Sequence, residues 1–233
     1  MIYVVILAAG KGERLKSATL PKQFLKIGTR TVLEQAVEKF TLSPQVKKII
    51  VVVNQQWMSH AKEIFRNSSY ADMIEVCQGG NDRQQSLFLG CKFIQSLHGS
   101  KEEPIIISHD AARPFISRRI INDNIEAFKD RKIRVVDTVI PATDTIIRSV
   151  NKLTITSIPN RDELYMGQTP QSFYLQDYLD AYSEHKEEEG ITDAANLLLK
   201  SGKEVALVEG DPFNIKITTD YDLSFAQFLL KKD

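Results

Sequence analysis

The sequence predicts an α/β protein with a mainly parallel sheet covered on both faces by helices. Two observations carry this: through the first half of the chain β-branched apolar runs alternate with segments of helical periodicity, and polar or glycine-bearing turns follow the runs. A third is length, because 233 residues suffice for one domain with a sizeable core and do not demand two. No repeat, low-complexity tract or linker divides the chain, so a single domain over residues 1–233 is expected.

Taken in order, strands are predicted at 3–7, 48–53, 74–78 and 104–108, and helices at 31–40, 56–68, 83–97 and 117–128, the last with Ser117 as N-cap. Ligands of such sheets collect beyond the carboxyl ends of the strands. The Gly10 loop, the Gly79-Gly80 turn and the His109-Asp110 turn are all expected there. Between 135 and 158 the rhythm breaks. Val135 to Pro141 is strand-like, and 146–148 and 153–158, parted by Asn151-Lys152, read as a hairpin with no helix to cover it. An uncovered hairpin is a liability unless something pairs with it or buries it. The last third predicts helices at 175–185, 193–201 and 220–231 and strands at 205–208 and 214–218, with Lys186-Glu187-Glu188-Glu189-Gly190 a solvated helix end and glycine stop.

Composition narrows function by exclusion. Lys and Arg together number 30 and Asp and Glu 30, so no global field favours nucleic acid or an anionic membrane. Any basic site must be local. Cys77 and Cys91 are too few for a disulfide framework and lie in no zinc spacing, which makes reduced thiols and a cytoplasmic location the expectation. His60, His98, His109 and His185 show no metal spacing either, and His109 is expected to be a structural hydrogen-bonding residue. The opening apolar run lacks a basic flank and is too short to span a bilayer.

The informative stretch is the first two dozen residues. The strand breaks into Ala8-Ala9-Gly10-Lys11-Gly12-Glu13-Arg14, where small residues let backbone N–H groups approach a ligand and Gly10 and Gly12 tolerate positive φ. Arg14 and Lys22 add two cations. This combination suits a polyphosphate and the charge that grows on it during reaction. Leu15 stands where a dinucleotide fingerprint has its third small residue, and no Gly-Lys-Ser/Thr follows. An ordinary strand-to-loop turn with two solvated cations is the alternative reading of these residues alone. Further on, Lys216 interrupts Ile215 and Ile217, so side-chain alternation turns it away from the core and toward a possible ligand cleft.

Leu7-Ala8-Ala9-Gly10-x-Gly12-x-Arg14-Leu15 followed by Pro21-Lys22-Gln23-Phe24 resembles the entry loop of nucleotidyltransferases that join a sugar or alditol phosphate to a nucleoside monophosphate. Gly79-Gly80-x-Asp82-Arg83-x-x-Ser86, His109 to Pro114, Asp144-Thr145, Gln168 to Gln171, Thr192-Asp193 and Asn214 to Thr218 narrow the resemblance to the cytidylyltransferases that use ribitol 5-phosphate or 2-C-methyl-D-erythritol 4-phosphate. It implies a Rossmann-like three-layer nucleotidyltransferase fold, with a projecting β-arm at about 138–160 that embraces a second subunit in a homodimer. It also implies CTP, an alditol phosphate and Mg²⁺ or another divalent cation. By the same resemblance Arg14, Lys22, Arg161 and Lys216 are catalytic. Leu7, Ala8, Ala9, Gly10, Gly12, Gly79, Gly80, Arg83, Ser86, Asp110 and Ala111 bind CTP. Arg113, Thr145, Arg161, Thr169 and Thr192 bind the acceptor, with Thr145 and Arg161 reaching in from the partner. The metal ligands are left open, Asp110 being the candidate, and Arg113 is expected to pair with Asp110.

Pro159-Asn160-Arg161 and Tyr165-x-Gly167-Gln168-Thr169-Pro170-Gln171 look more like the ribitol-phosphate enzymes, whereas Asp110-Ala111-Ala112-Arg113 resembles the isoprenoid form. Ribitol 5-phosphate is favoured, because residues facing the acceptor discriminate more than the turn beneath the nucleotide. A scaffold that binds nucleotide without catalysis is the reading from another class, and the joint presence of Arg14, Lys22, Arg161 and Lys216 argues against it. A dehydrogenase is weaker still for want of the third glycine.

Overall fold

The computed structural model describes residues 1–10, 20–188 and 190–230. In chain order it contains β1 (Ile2–Ala8), β2 (Lys26–Ile27), β3 (Arg30–Thr31), α1 (Val32–Thr41), β4 (Val46–Val53), α2 (Met58–Phe65), β5 (Ile74–Gln78), α3 (Arg83–Leu97) and β6 (Ile105–Asp110). There follow α4 (Arg118–Ala127), β7 (Val135–Pro141), β8 (Tyr165–Tyr174), α5 (Leu175–His185), α6 (Ala194–Lys200), β9 (Ala206–Glu209) and α7 (Asp220–Leu229). Seven strands form one sheet in the order β5-β4-β1-β6-β8-β7-β9, in which only β8 runs against its neighbours. The mainly parallel sheet is therefore as expected.

The β-branched strands bury both faces, which is why they read as near-continuous apolar runs. Val4 and Ile6 meet Leu33, Val37 and Phe40 of α1, Phe65 of α2 and Ile120 and Ile121 of α4 on one side. Tyr3 and Val5 meet Leu87, Cys91 and Ile94 of α3, Tyr178 of α5 and Leu197 and Leu198 of α6 on the other. Gly90 lets α3 lie close on β1 and β4, since a Cβ there would come within 2.9 Å of Val5 and 3.0 Å of Val52. Both cysteines are buried free thiols, and burial pushes the Cys77 thiol up to about 12. They are packing residues. Among the described residues no helix is long and apolar enough to cross a membrane.

Several boundaries move, for local reasons. Asn54 caps a 3₁₀ turn at Gln55–Trp57, so α2 starts later than expected and ends at Phe65. β6 runs on to Asp110, which makes that residue the strand's last member and not part of the turn. The strand expected at 214–218 joins no sheet: Ile217 is fully buried against α7 and β2, and its N–H bonds the carbonyl of Ala112 at 2.8 Å. Its alternation reflected one buried isoleucine, not a ladder. The hairpin at 146–158 shrinks to one antiparallel bridge, Arg148 with Ser157, because Asn151 Oδ1 accepts the N–H groups of Leu153 and Thr154 and closes the turn by itself. Strand β8 was not foreseen. Gly167 and Pro170 fall inside it, and the β7–β8 register shifts between Asp137 and Val139.

Candidate active site

Between β1 and its neighbours the strand order reverses: β4 and β5 lie to one side, β6 and everything after it to the other. A crevice at the carboxyl ends of β1 and β6 is the consequence. It is a cavity of about 850 Å³ lined by Leu7 to Gly10 after β1, Asn54 after β4, Gly80 to Arg83 after β5, Asp110 to Ala112 after β6, and Lys22, Gln23, Ser86, Lys216 and Thr218. Three turns separated in sequence thus meet at one place.

Its first wall is pinned from below. Gln23 is buried, and its Nε2 donates to the carbonyls of Ala8 at 2.7 Å and Gly10 at 3.1 Å, which leaves the N–H side of that segment free of it. Phe24 packs on Trp57 and His60 and holds the 3₁₀ turn Lys22–Phe24 in place. Gly10 does not use positive φ, contrary to the expectation. A Cβ there would meet nothing within 4 Å, so its part is to leave the cavity wall low. Gly12 and Arg14 lie outside the described residues.

The second wall needs a glycine at 79 for close approach: a Cβ would stand 2.7 Å from Ala9 Cβ and 2.9 Å from Ser86 Oγ. Beyond it the turn closes on itself. Ser86 Oγ donates to the Asp82 carbonyl at 2.7 Å and accepts from Gly80 N–H, while Gln85 Oε1 accepts from Asn81 N–H and Asp82 Oδ1 accepts from Gln85 N–H. The Ser86 hydroxyl and the amides of Gly80 and Asn81 are thus committed to the turn, so Gly80 and Ser86, assigned to CTP by resemblance, do not present these groups unspent. Ser86 still lines the cavity.

At the centre stands Asp110. Lys216 Nζ is 2.6 Å from Oδ2, and Arg83 approaches Oδ1 through both Nη2 and Nε at 3.2 Å. Burial pushes this carboxyl up, yet Arg83 and Lys216 outweigh it and hold the group well below the usual carboxylate range. Lys22 Nζ donates to the carbonyl of Ile217 at 2.8 Å, which draws the first loop against the segment bearing Lys216. Two of the three cations expected on one polyphosphate, Lys22 and Lys216, therefore share a cavity, joined by Arg83.

Arg113 does not pair with Asp110. Its Nη1 donates to the Asn214 carbonyl at 2.7 Å, because the half-buried guanidinium is drawn across to the extended segment while Arg83 and Lys216 occupy the carboxylate. Thr169 also turns inward: Oγ1 accepts from the Asp110 N–H at 3.1 Å and lies 3.0 Å from His109 Nδ1. His109 Nε2 is 3.0 Å from the Arg113 carbonyl, which only accepts. The proton thus sits on Nε2, and the Thr169 hydroxyl donates to Nδ1. Burial lowers His109 to about 4, consistent with this neutral tautomer and with its expected structural part. Thr192 lines a smaller cavity of about 290 Å³ with Arg83 and Gln84, and Thr145 and Arg161 are exposed and line neither cavity of their own chain. Sequence reasoning missed Asn54 and the part of Gln23. An asparagine directly after a buried strand and a polar residue inside Pro-Lys-Gln-Phe were the available signals.

Among the described residues no group of three or more His, Cys, Asp or Glu is placed to hold a metal. Among the described residues the carboxylates lining the cavity are Asp82, whose Oδ1 caps α3, and Asp110, whose two oxygens are engaged by Arg83 and Lys216, so a Mg²⁺ here would be held mainly by phosphate oxygens and water.

Comparison with known proteins agrees with this architecture. The chain is 42% identical over 234 residues to the ribitol-5-phosphate cytidylyltransferase of Lactiplantibacillus plantarum, covering 100% of this chain and 99% of that protein. The structure of 4-diphosphocytidyl-2C-methyl-D-erythritol synthase from Anaerococcus prevotii superposes with a TM-score of 0.84 at 29% identity, covering 99% of this chain and 96% of that one. For the Francisella tularensis 2-C-methyl-D-erythritol 4-phosphate cytidylyltransferase the TM-score is 0.81 at 29% identity, with 97% and 98% covered. The family profile described as IspD, 2-C-methyl-D-erythritol 4-phosphate cytidylyltransferase, matches residues 2–232. With strand order, crevice and full-length similarity in agreement, the chain belongs to the 2-C-methyl-D-erythritol 4-phosphate cytidylyltransferase family.

Proposed function

We propose that this protein transfers CMP from CTP to the phosphate of ribitol 5-phosphate, forming CDP-ribitol and pyrophosphate. The observation that carries the acceptor is the 42% identity, over the whole chain, to a ribitol-5-phosphate cytidylyltransferase. An oxygen of the acceptor's phosphomonoester forms a bond to the α-phosphorus of CTP as the bond to the pyrophosphate oxygen breaks. The nucleophile is already an anion, so no general base is needed. The barrier lies in bringing two anions together and in the charge at five-coordinate phosphorus.

Lys22 and Lys216 line the cavity where such charge would develop. Asp110 holds Lys216 and Arg83 in place before substrate arrives, so their orientation is fixed in advance. Arg14 is assigned to the same triphosphate, and the glycine turns to the nucleotide. Mg²⁺ would neutralise triphosphate oxygens when bound. Thr145 and Arg161 are assigned to the acceptor phosphate of the opposite subunit in a homodimer. The arm supports that assembly, with Ile147, Val150, Leu153, Ile155 and Ile158 all exposed, Leu153 at 88%. Two buried thiols without a disulfide fit a reducing cytoplasm.

Methylerythritol 4-phosphate is the second reading, favoured by the family profile and by Asp110-Ala111-Ala112-Arg113. Pyrophosphate release from CTP with each acceptor separates the two. Turnover greater with ribitol 5-phosphate is expected. Turnover confined to methylerythritol 4-phosphate overturns the acceptor assignment, and none with either favours a non-catalytic nucleotide binder.

A further inference from the structure

On the face covered by α3, α5 and α6, strand register sets Ser108 of β6, Gln171 of β8 and Asp137 of β7 side by side. Residues paired directly across a sheet share a face. These three interrupt a floor otherwise built from Val5, Ile50 and Val135. Gln171 Nε2 donates to Asp137 Oδ1 at 3.0 Å while its Oε1 accepts from Ala194 N–H at 3.2 Å, at the start of α6. The carboxylate is thereby oriented without being neutralised: among the described residues no cation is within ion-pair distance, and Arg83 and Arg113 act on it only from further off. Burial pushes it up to about 6 against the Gln171 hydrogen bond, with Asp193 raising and Arg83 lowering it.

The surroundings are arranged for donors. Gly167 of β8, registered with Val139, brings no side chain to the other oxygen: a Cβ there would stand 3.9 Å from Asp137 Oδ2. Ser108 Oγ, Arg83 Nη1, Gln84 Nε2 and Arg113 Nε are buried without hydrogen-bond partners. Ser108 lies in the Asp137 row, and Arg83 and Gln84 line the small cavity with Thr192. Arg83 lines the nucleotide cavity as well, so the two spaces adjoin. An acceptor-only carboxylate and several unspent donors are the complement of a chain of hydroxyl groups, each of which both donates and accepts.

We infer that Asp137, oriented by Gln171, is a specificity-determining residue whose carboxylate accepts hydrogen bonds from the hydroxyls of the alditol phosphate. The inference rests on the ribitol 5-phosphate reading above. A site built to bond a substrate hydroxyl discriminates strongly against an acceptor that cannot supply it, because the buried group is then left unpaired.

Steady-state kinetics of the full chain with Mg²⁺ supplied test this for Asp137→Asn, whose amide oxygen still accepts from Gln171. The KM for ribitol 5-phosphate should rise at least tenfold with the KM for CTP within twofold, and the preference for ribitol 5-phosphate over methylerythritol 4-phosphate should collapse. Its melting temperature should not fall. An unchanged acceptor KM and preference in the variant overturns the inference while leaving the acceptor reading intact. Parallel loss for CTP and acceptor with a lowered melting temperature assigns Asp137 to the fold and overturns it too. A wild-type enzyme silent with ribitol 5-phosphate overturns the acceptor reading and this inference with it.

Discussion

Asp137 and His109 are both titratable, both shifted by burial, and in opposite senses for stability. The folded value of Asp137 is raised from 3.8 to about 6, so its carboxyl contributes fully below pH 3.8 and that contribution is lost as pH rises through 6. Asp137→Asn should therefore be more stable than wild type at pH 7.5, on the order of 1–3 kcal/mol, with the gap closing as pH falls toward 4. Denaturant midpoints at several pH values check this, and a gap that widens on acidification contradicts it. His109 is lowered from 6.5 to about 4, so the neutral ring's contribution is full above 6.5 and lost as pH falls through 4. Its clasp with Thr169 fixes the Asp110 amide. Thr169→Val should cost about 1–3 kcal/mol, the penalty for orphaning buried partners, measured by chemical denaturation. At this scale the sequence disclosed cations and glycines by type and spacing. It did not disclose that Ser86 and Thr169 are spent internally, because hydrogen-bond partners 59 residues apart, such as Asp110 and Thr169, leave no local pattern.

Helix α4 shows how an element is tied to the sheet by more than apolar area. Asn124 is fully buried; its Nδ2 donates to the Ile120 carbonyl and to Thr138 Oγ1 of β7, and its Oδ1 accepts from Ser172 of β8. Thr138 in turn donates to the Pro170 carbonyl at 2.6 Å, in the stretch where the β7–β8 ladder is interrupted. Asn124→Ala should destabilise by about 1–3 kcal/mol through the groups left unpaired, measured by thermal or urea unfolding. A loss below about 0.5 kcal/mol would mean the network is not needed. The same register shift explains why β8 was illegible. Its glycine and proline suppress the alternation that marks a strand, whereas β1, β4, β5 and β6 announce themselves through uninterrupted β-branched runs. Helix α5 at Leu175–His185 matched to the residue because its apolar period is undisturbed. The supposed strand at 214–218 misled because a two-residue alternation is equally the mark of an extended segment with one buried side.

For the molecule as a whole, parallel strands with a reversal beside β1 create the crevice, and the arm expected at about 138–160 begins only after β7 ends at Pro141, because 138–141 belong to the sheet. Fold class and the meeting of three turns were legible because they depend on strand order and strand ends. The expectation of a second subunit came only through family resemblance, as composition does not encode symmetry. Deleting 146–158 should lower the sedimenting mass to that of one chain and abolish turnover, since Arg161 and Thr145 would no longer be presented to a partner. A truncated protein that stays dimeric and active contradicts the proposed assembly. The central claim is that cations from distant parts of the chain converge on one triphosphate. Its most direct test is the kcat for CTP and ribitol 5-phosphate beside the Kd for CTP, in wild type, Lys22→Ala and Lys216→Ala. Each variant should lose about 100-fold or more in kcat with CTP affinity changed only a few-fold. Near-wild-type kcat, or equal losses in kcat and affinity, would show that these lysines do not stabilise the reacting phosphate.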